Sequence, residues 1–292
     1  MYKRQVFQLR QAIAKILNIA EEKICVIHKP GSGCYGHNGA DDVALDAILM
    51  AKSFPGRFLK VVWSRFDEFH SSPMGASMVT KSRALLSANN RLVAFDVELN
   101  STPHTNRPSA NFPNLRAAGY LANPISPSRT PDVPVARGGG ADRNAIPSYE
   151  VGGVRVRKRI IYDTPYRTSA LRSLGAYCNV VANEALLDSI AKQIEVEPIA
   201  FRLDHTTDPR SRELLERLNY ETKKDRQASN EEGIGWGIGF ARYKGSGGYC
   251  AVMVKVHVGE NVSVTDAISV SDVGEAVSSD GVKNQVEGGI IQ

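Results

Sequence analysis

The chain has 292 residues, 42% of them hydrophobic and 23% charged, which is enough apolar material for one large domain or two ordinary ones and excludes a disordered chain. Its net charge of +5 is too small an excess over this length to single out a nucleic-acid binder, and it suits an anionic ligand equally well. No apolar run reaches the roughly 18 residues a spanning helix needs, and the basic start Met1-Tyr2-Lys3-Arg4 has no apolar stretch behind it, so a cytoplasmic protein is expected.

Along the first part of the chain, Leu9, Ile13 and Leu17 recur at helical spacing and predict a helix. The β-rich run 24–28 predicts a short strand, closed by Pro30 and Gly31. A second helix is predicted over 40–54, with Val43, Ala47, Met50 and Phe54 on its apolar face, ended by Pro55-Gly56 and followed by a strand over 58–63. Residues 78–87 and 91–99 read as two strands of a hairpin turning at Ala88-Asn89-Asn90. Most of the fourteen prolines, with Gly138-Gly139-Gly140, then fall in 101–150, a long irregular stretch of the kind that usually serves a function. A strand over 154–161 carries Arg155, Arg157, Lys158 and Arg159 and reads as a solvated basic edge.

A long helix is predicted over 169–194, lined on one side by Leu174, Cys178, Val181 and Ala185. Asp208-Pro209 gives an N-cap and a first-turn proline for a charged helix running to Lys223. Two more strands are predicted over 234–243 and 250–258. The four cysteines, Cys25, Cys34, Cys178 and Cys250, are too far apart for a zinc or iron–sulfur spacing and are expected to be reduced, mostly buried thiols. The last residues, 287–292, form an apolar segment without a polar tail and read as a cut end.

Gly31-Ser32-Gly33-Cys34-Tyr35-Gly36 has the G-x-G-x-x-G spacing. Glycines let a backbone approach a phosphate or other anion closely, and free N–H groups at a helix start attract negative charge. Three readings stay open for this loop: a dinucleotide-binding Rossmann turn, a structural turn, or a loop beside another cofactor. The Rossmann reading needs an acidic residue about 20 residues on, whereas the first candidate past the predicted second strand, Asp67, lies 31 residues after Gly36.

The extended string from Gly31 through Asp41-Asp42 to Ala47 resembles the first cofactor loop of molybdenum hydroxylase large subunits, the xanthine dehydrogenase and aldehyde oxidase superfamily, of the bacterial nicotinate and isoquinoline oxidoreductase type. Two further blocks follow in the family's order. Ala170-Leu171-Arg172-Ser173-Leu174-Gly175, running on to Glu184, is similar to the arginine–glycine segment that enters a long helix beside the cofactor. Asp280 to Gly289 resembles the helix whose glutamine meets the pterin.

The resemblance implies an α+β fold of mixed sheets and helices in two molybdenum-cofactor-binding domains, both incomplete, over 1–160 and 161–292. It implies cofactor contacts at Gly33, Cys34, Tyr35, Gly36, Arg172, Gly175 and Gln285, and a substrate-orienting role for Arg143, 29 residues before Arg172. The implied activity is oxidative hydroxylation of an N-heterocycle or an aldehyde with water as the oxygen source. The implied cofactor is molybdenum–molybdopterin in its cytosine dinucleotide form, with [2Fe–2S] clusters on a partner iron–sulfur small subunit. The family's general-base glutamate is not found before Gln292 and its Gly-Gln-Gly step is not evident between Gly237 and Ala251, so a chain that binds the cofactor without turnover is the alternative.

Overall fold

The computed structural model describes residues 6–29, 41–229, 232–245 and 247–292. In chain order its elements are α1 (Val6–Leu17), α2 (Asp42–Ser53), α3 (Arg65–Ser71), β1 (Met74–Gly75), β2 (Met78–Leu86), β3 (Leu92–Ser101), β4 (Gly153–Ile160), β5 (Thr168–Ser169), α4 (Ala176–Gln193), α5 (Pro198–Asp204), α6 (Pro209–Ala228), β6 (Ile234–Arg242), β7 (Tyr249–Val258), β8 (Val262–Asp272) and α7 (Ser279–Ile291). They form small sheets ordered β1-β5, β2-β3-β4 and β6-β7-β8. Helices and mixed sheets make the expected α+β fold. The described strands form sheets of only two and three strands, and β6-β7-β8 is antiparallel throughout, so the doubly wound parallel sheet of a Rossmann site is not what these residues build.

The chain divides into two compact units, one of Met1–Met78, Asn100–Ala141 and Arg159–Leu174, the other of Val79–Leu99, Asp142–Lys158 and Gly175–Gln292. In the first, the predicted α1 buries Leu9, Ile13 and Ile16 against Leu45, Leu115 and Ala118. The face of α2 differs from expectation. Leu45 is its buried apolar residue, flanked by Ala44, Ile48 and Leu49, while Met50 and Phe54 are exposed. With apolar residues on most of its sides, this helix offered two possible faces, and packing on α1 chose between them. Residues 24–28 and 58–63 carry no regular secondary structure, so the two strands predicted there are not formed. Ile24 and Val26 still point alternately into the core, as period two requires, but extended chain becomes a strand only with a hydrogen-bonded neighbour. The expectation of mostly buried thiols is not met among the described residues: Cys25 is exposed, and Cys178 and Cys250 are half-buried free thiols.

Polar ties hold the proline-rich stretch of this unit in place. The buried Asp42 accepts from Arg167 at 2.8 and 2.6 Å and from the Arg116 N–H at 2.7 Å. Asn114 donates to the Ser128 carbonyl and Thr130 Oγ1, both at 3.0 Å, and accepts from the Ser128 N–H at 2.8 Å. Gly140 is needed because a Cβ there would stand 1.8 Å from Asp132 Oδ1.

In the second unit the hairpin β2–β3 forms as the pattern predicts, closed by the Ser87 N–H to Arg91 carbonyl bond at 2.9 Å and by Asn90 at a φ of 59°. The basic strand β4 is the exposed edge strand expected, and several of its cations pair with carboxylates. Arg155 donates to Asp96 at 2.8 Å, and Arg157 reaches Asp96 and Glu98, each at 3.1 Å. The Arg155 guanidinium holds the Asp96 carboxyl below its ordinary range. Helix α6 begins at the predicted cap, where Asp208 accepts from the Ser211 N–H, and it buries Leu214, Leu215 and Leu218. The antiparallel sheet β6-β7-β8 contributes Ile238, Phe240, Ala251 and Met253 to the core of this unit.

Helix α4 starts at Ala176, seven residues later than predicted. Thr168 and Ser169 are taken up by β5, and Ser173 and Leu174 adopt φ values of 67° and 55°, in the left-handed region that ordinary side chains disfavour.

Candidate functional site

Arg143 does not lie on the surface; it is 7% exposed. Its guanidinium donates to the Tyr243 hydroxyl at 3.0 Å and sits 5.4 Å from the centre of that ring. The adjacent Asp142 pairs instead with Lys158 at 2.7 Å. Asn144, at a φ of 56°, donates to the Arg242 carbonyl at 2.7 Å and accepts from the Lys244 N–H at 3.2 Å.

Two asparagines one turn apart on α4 fix the backbone around Arg143. Asn179 donates to the Arg143 carbonyl at 2.9 Å and accepts from the Thr80 hydroxyl at 3.1 Å. Asn183 donates to the Ala145 carbonyl at 3.1 Å and accepts from the Ser82 hydroxyl at 2.7 Å. Each amide thus uses its donor and acceptor ends together in a buried setting. The sequence reading missed both residues. Their signal was a pair of polar residues at i and i+4 on the inward side of the helix, opposite Thr80 and Ser82 at i and i+2 of a strand. Asn183→Ala strands the Ser82 hydroxyl and the Ala145 carbonyl, and is expected to cost ~1–3 kcal/mol; a lowered midpoint in urea unfolding checks it.

Next to Asn183 on α4 lies Glu184. Its carboxylate accepts from Arg202 Nε at 3.0 Å, from the Phe240 N–H at 3.0 Å and from the Tyr149 hydroxyl at 3.1 Å. Burial pushes the Glu184 carboxyl up, against the pull of Arg202 and these hydrogen bonds. Burial also raises the Tyr149 phenol, which keeps it a proton donor here. Arg202 is fully buried and also reaches Asp188 at 2.6 Å. This network joins α4, α5 and β6.

The remaining sequence-predicted residues fall as follows. Gly33, Cys34, Tyr35 and Gly36 lie outside the described residues. In the first unit, Arg172 is half-buried on the turn before Ser173 and Leu174. That turn is seated through Leu171, whose Cδ1 occupies the place of a Cβ on Gly75, 2.2 Å from its ideal position. In the second unit, Gly175 is buried at the N-cap of α4, an 18-residue helix with neither a side-chain cap nor an acidic residue in its first turn. Gln285 is exposed on α7, which opens with the Ser278 side chain accepting from the Gly281 N–H.

No protein-family model matches the chain. Over 302 residues it is 32% identical to a subunit of the nicotinate dehydrogenase of Pseudomonas putida, an alignment taking in 97% of this chain and 24% of that protein. It is 27% identical over 285 residues to the beta subunit of the isoquinoline 1-oxidoreductase of Brevundimonas diminuta, with 96% of this chain and 34% of the relative covered. The aldehyde oxidoreductase from Desulfovibrio gigas superposes with a TM-score of 0.59 over 86% of this chain and 27% of its own, at 14% identity, a likeness of fold. The chain thus spans about a quarter to a third of the length of the curated relatives it matches. The three motif blocks, the α+β architecture and these alignments agree: the chain belongs to the large subunits of the xanthine dehydrogenase and aldehyde oxidase superfamily.

Proposed function

We propose that this chain supplies part of the molybdopterin-binding body of a molybdenum hydroxylase that oxidises an N-heterocycle or an aldehyde with water as the oxygen source. The observation that carries this is the 32% identity to a nicotinate dehydrogenase, which runs along nearly the whole chain. The cofactor is proposed in its cytosine dinucleotide form, with [2Fe–2S] clusters on an iron–sulfur small subunit in the cytoplasm. Both relatives are named as one subunit of their enzyme, which supports a multi-subunit assembly. The division into a first cofactor domain over 1–160 and a second over 161–292 belongs to the same proposal.

The donors present suit such a group. The uncapped start of α4 at Gly175 offers backbone N–H groups and the positive end of a helix dipole to an anionic oxygen. Strain at Ser173 and Leu174 is of the kind kept where a function requires it. Arg172 would hold an anionic oxygen with a forked pair of N–H groups, and Gln285 would meet a pterin edge with both ends of its amide. Gly33 and Gly36 would admit the cofactor close to the backbone, with Cys34 and Tyr35 beside it. When bound, the cofactor supplies the redox chemistry, and the chain supplies binding and orientation. Arg143 would orient the substrate, and its clamp by Asn179 and Tyr243 supports a fixed position.

The test is metal analysis of the protein expressed with its partner subunits in a host that makes the cofactor. Arg172→Ala is expected to lower bound molybdenum per protein at least threefold, while Arg210→Ala, which removes an ion pair to Asp272, leaves it unchanged. Equal molybdenum in both variants would refute the role of Arg172, and a wild-type protein without molybdenum would refute the reading as a whole.

A further inference from the structure

A cleft of about 290 Å³ opens in the first unit between the proline-rich stretch and the approach to β5. Its walls include Pro103, Asn106, Pro127, Arg129, Tyr162 and Tyr166, together with Arg167. Among the described residues no carboxylate lines it, whereas two guanidinium groups do. Arg167 is committed to Asp42. Arg129 is not so bound: its ion-pair partner is Asp163 at 3.0 Å, whose side chain is 91% exposed. An exposed pair of this kind is weak and gives way readily to a better-enclosed anion. Arg129 also lies over the Tyr162 ring, 5.4 Å from its centre, and Tyr162 is fixed by donating to the Thr130 carbonyl at 3.2 Å.

Asn106 supplies an independent observation. It is 93% buried and lines the cleft, yet its amide has no hydrogen-bond partner among the described residues. The amide of this mostly buried side chain is not sealed off but opens to the cleft, where it is poised to be paired by what enters. The walls are preformed, because Asn114 ties Ser128 to Thr130 across the loop and the Tyr166 and Ser77 hydroxyls share a hydrogen bond at 2.9 Å.

We propose that this cleft binds a small aromatic monocarboxylate. The proline and tyrosine faces take a flat ring, Arg129 takes the carboxylate, and Asn106 pairs with a polar atom of the ligand. The volume is at the small end for ligand sites, which fits one ring or two and far exceeds a bare inorganic anion. None of these residues carries a role in the proposed function, so the two readings stand or fall separately.

The experiment is a nuclear magnetic resonance titration of the full chain with benzoate, and with benzamide and inorganic phosphate as the neutral and ringless comparisons. Saturable shifts are expected at the Asn106 side-chain amide and Arg129 Nε–H with benzoate, and binding at least tenfold weaker for benzamide and for phosphate. Arg129→Gln, at an exposed position where folding is unaffected, is expected to weaken benzoate at least tenfold, and Asn106→Ser about threefold. No saturation with benzoate, equal affinity for benzamide or phosphate, or unchanged affinity in Arg129→Gln would each overturn the proposal.

Discussion

Arg202→Met is expected to destabilise the second unit by ~3–5 kcal/mol at neutral pH, because it leaves Glu184 buried without its counter-charge. The arginine is fully buried, and its N–H groups serve Glu184, Asp188 and the Pro198 carbonyl. Burial works against its charge, and the Glu184 and Asp188 carboxylates overcome that and hold it above its usual range. The loss should depend on pH. Burial already raises Glu184 above its ordinary value of 4.5, so the folded state holds that proton more tightly than the unfolded chain does. The stability Glu184 contributes is therefore fully present at acid pH and is lost as pH rises through its raised folded value. Removing Arg202 raises that value further, so the variant should recover stability between neutral pH and pH 5 by more than the wild type does. Pairing Arg202→Met with Glu184→Gln should restore part of the loss at neutral pH. Urea unfolding at the two pH values reads all of this, and a pH-independent loss would mean that packing, not charge, accounts for it.

The second large effect concerns catalysis and rests on the proposed role of Arg143. In the assembled enzyme, Arg143→Ala should lower kcat/KM about 30- to 1000-fold, equivalent to the ~2–4 kcal/mol of removing one charge-stabilising donor in a dry site. Bound molybdenum should stay at the wild-type level. Tyr243→Phe, which deletes the acceptor of the 3.0 Å hydrogen bond but leaves the ring under the guanidinium, should cost less. Steady-state kinetics beside metal analysis separates the outcomes. Unchanged kinetics would sink the assignment, and loss of molybdenum would make Arg143 a cofactor contact.

What could be read from the sequence was what local spacing dictates. The buried stripe of α1, the turn of the β2–β3 hairpin and the Asp208 cap of α6 each follow from residues within a few positions of one another. Features set by distant partners were not legible. Residues 24–28 and 58–63 have strand composition but no strand to pair with among the described residues. The start of α4 moved because Thr168 and Ser169 pair with Met74 and Gly75, nearly a hundred positions earlier. At the candidate site, Arg143 was found through a resemblance, while the groups that fix it were not. Asn179 reads as an ordinary helix residue until Thr80 and the Arg143 carbonyl are brought to its two ends.

Those bonds have a geometric consequence. From Asn179 to Asn183 a helix advances ~6.0 Å, and from Thr80 to Ser82 a strand advances ~6.6 Å. The two steps nearly match, so the amides and hydroxyls mesh like the teeth of a gear and rack, with the carbonyls of Arg143 and Ala145 engaged on the other side. A shift of β2 by one residue would turn both hydroxyls to the opposite face of its sheet, and a shift of α4 by one residue would rotate both amides away by about 100°. Neither element can creep by a small amount and keep half of its bonds. The ladder therefore sets an all-or-nothing register between helix and strand, and the backbone that carries Arg143 inherits it.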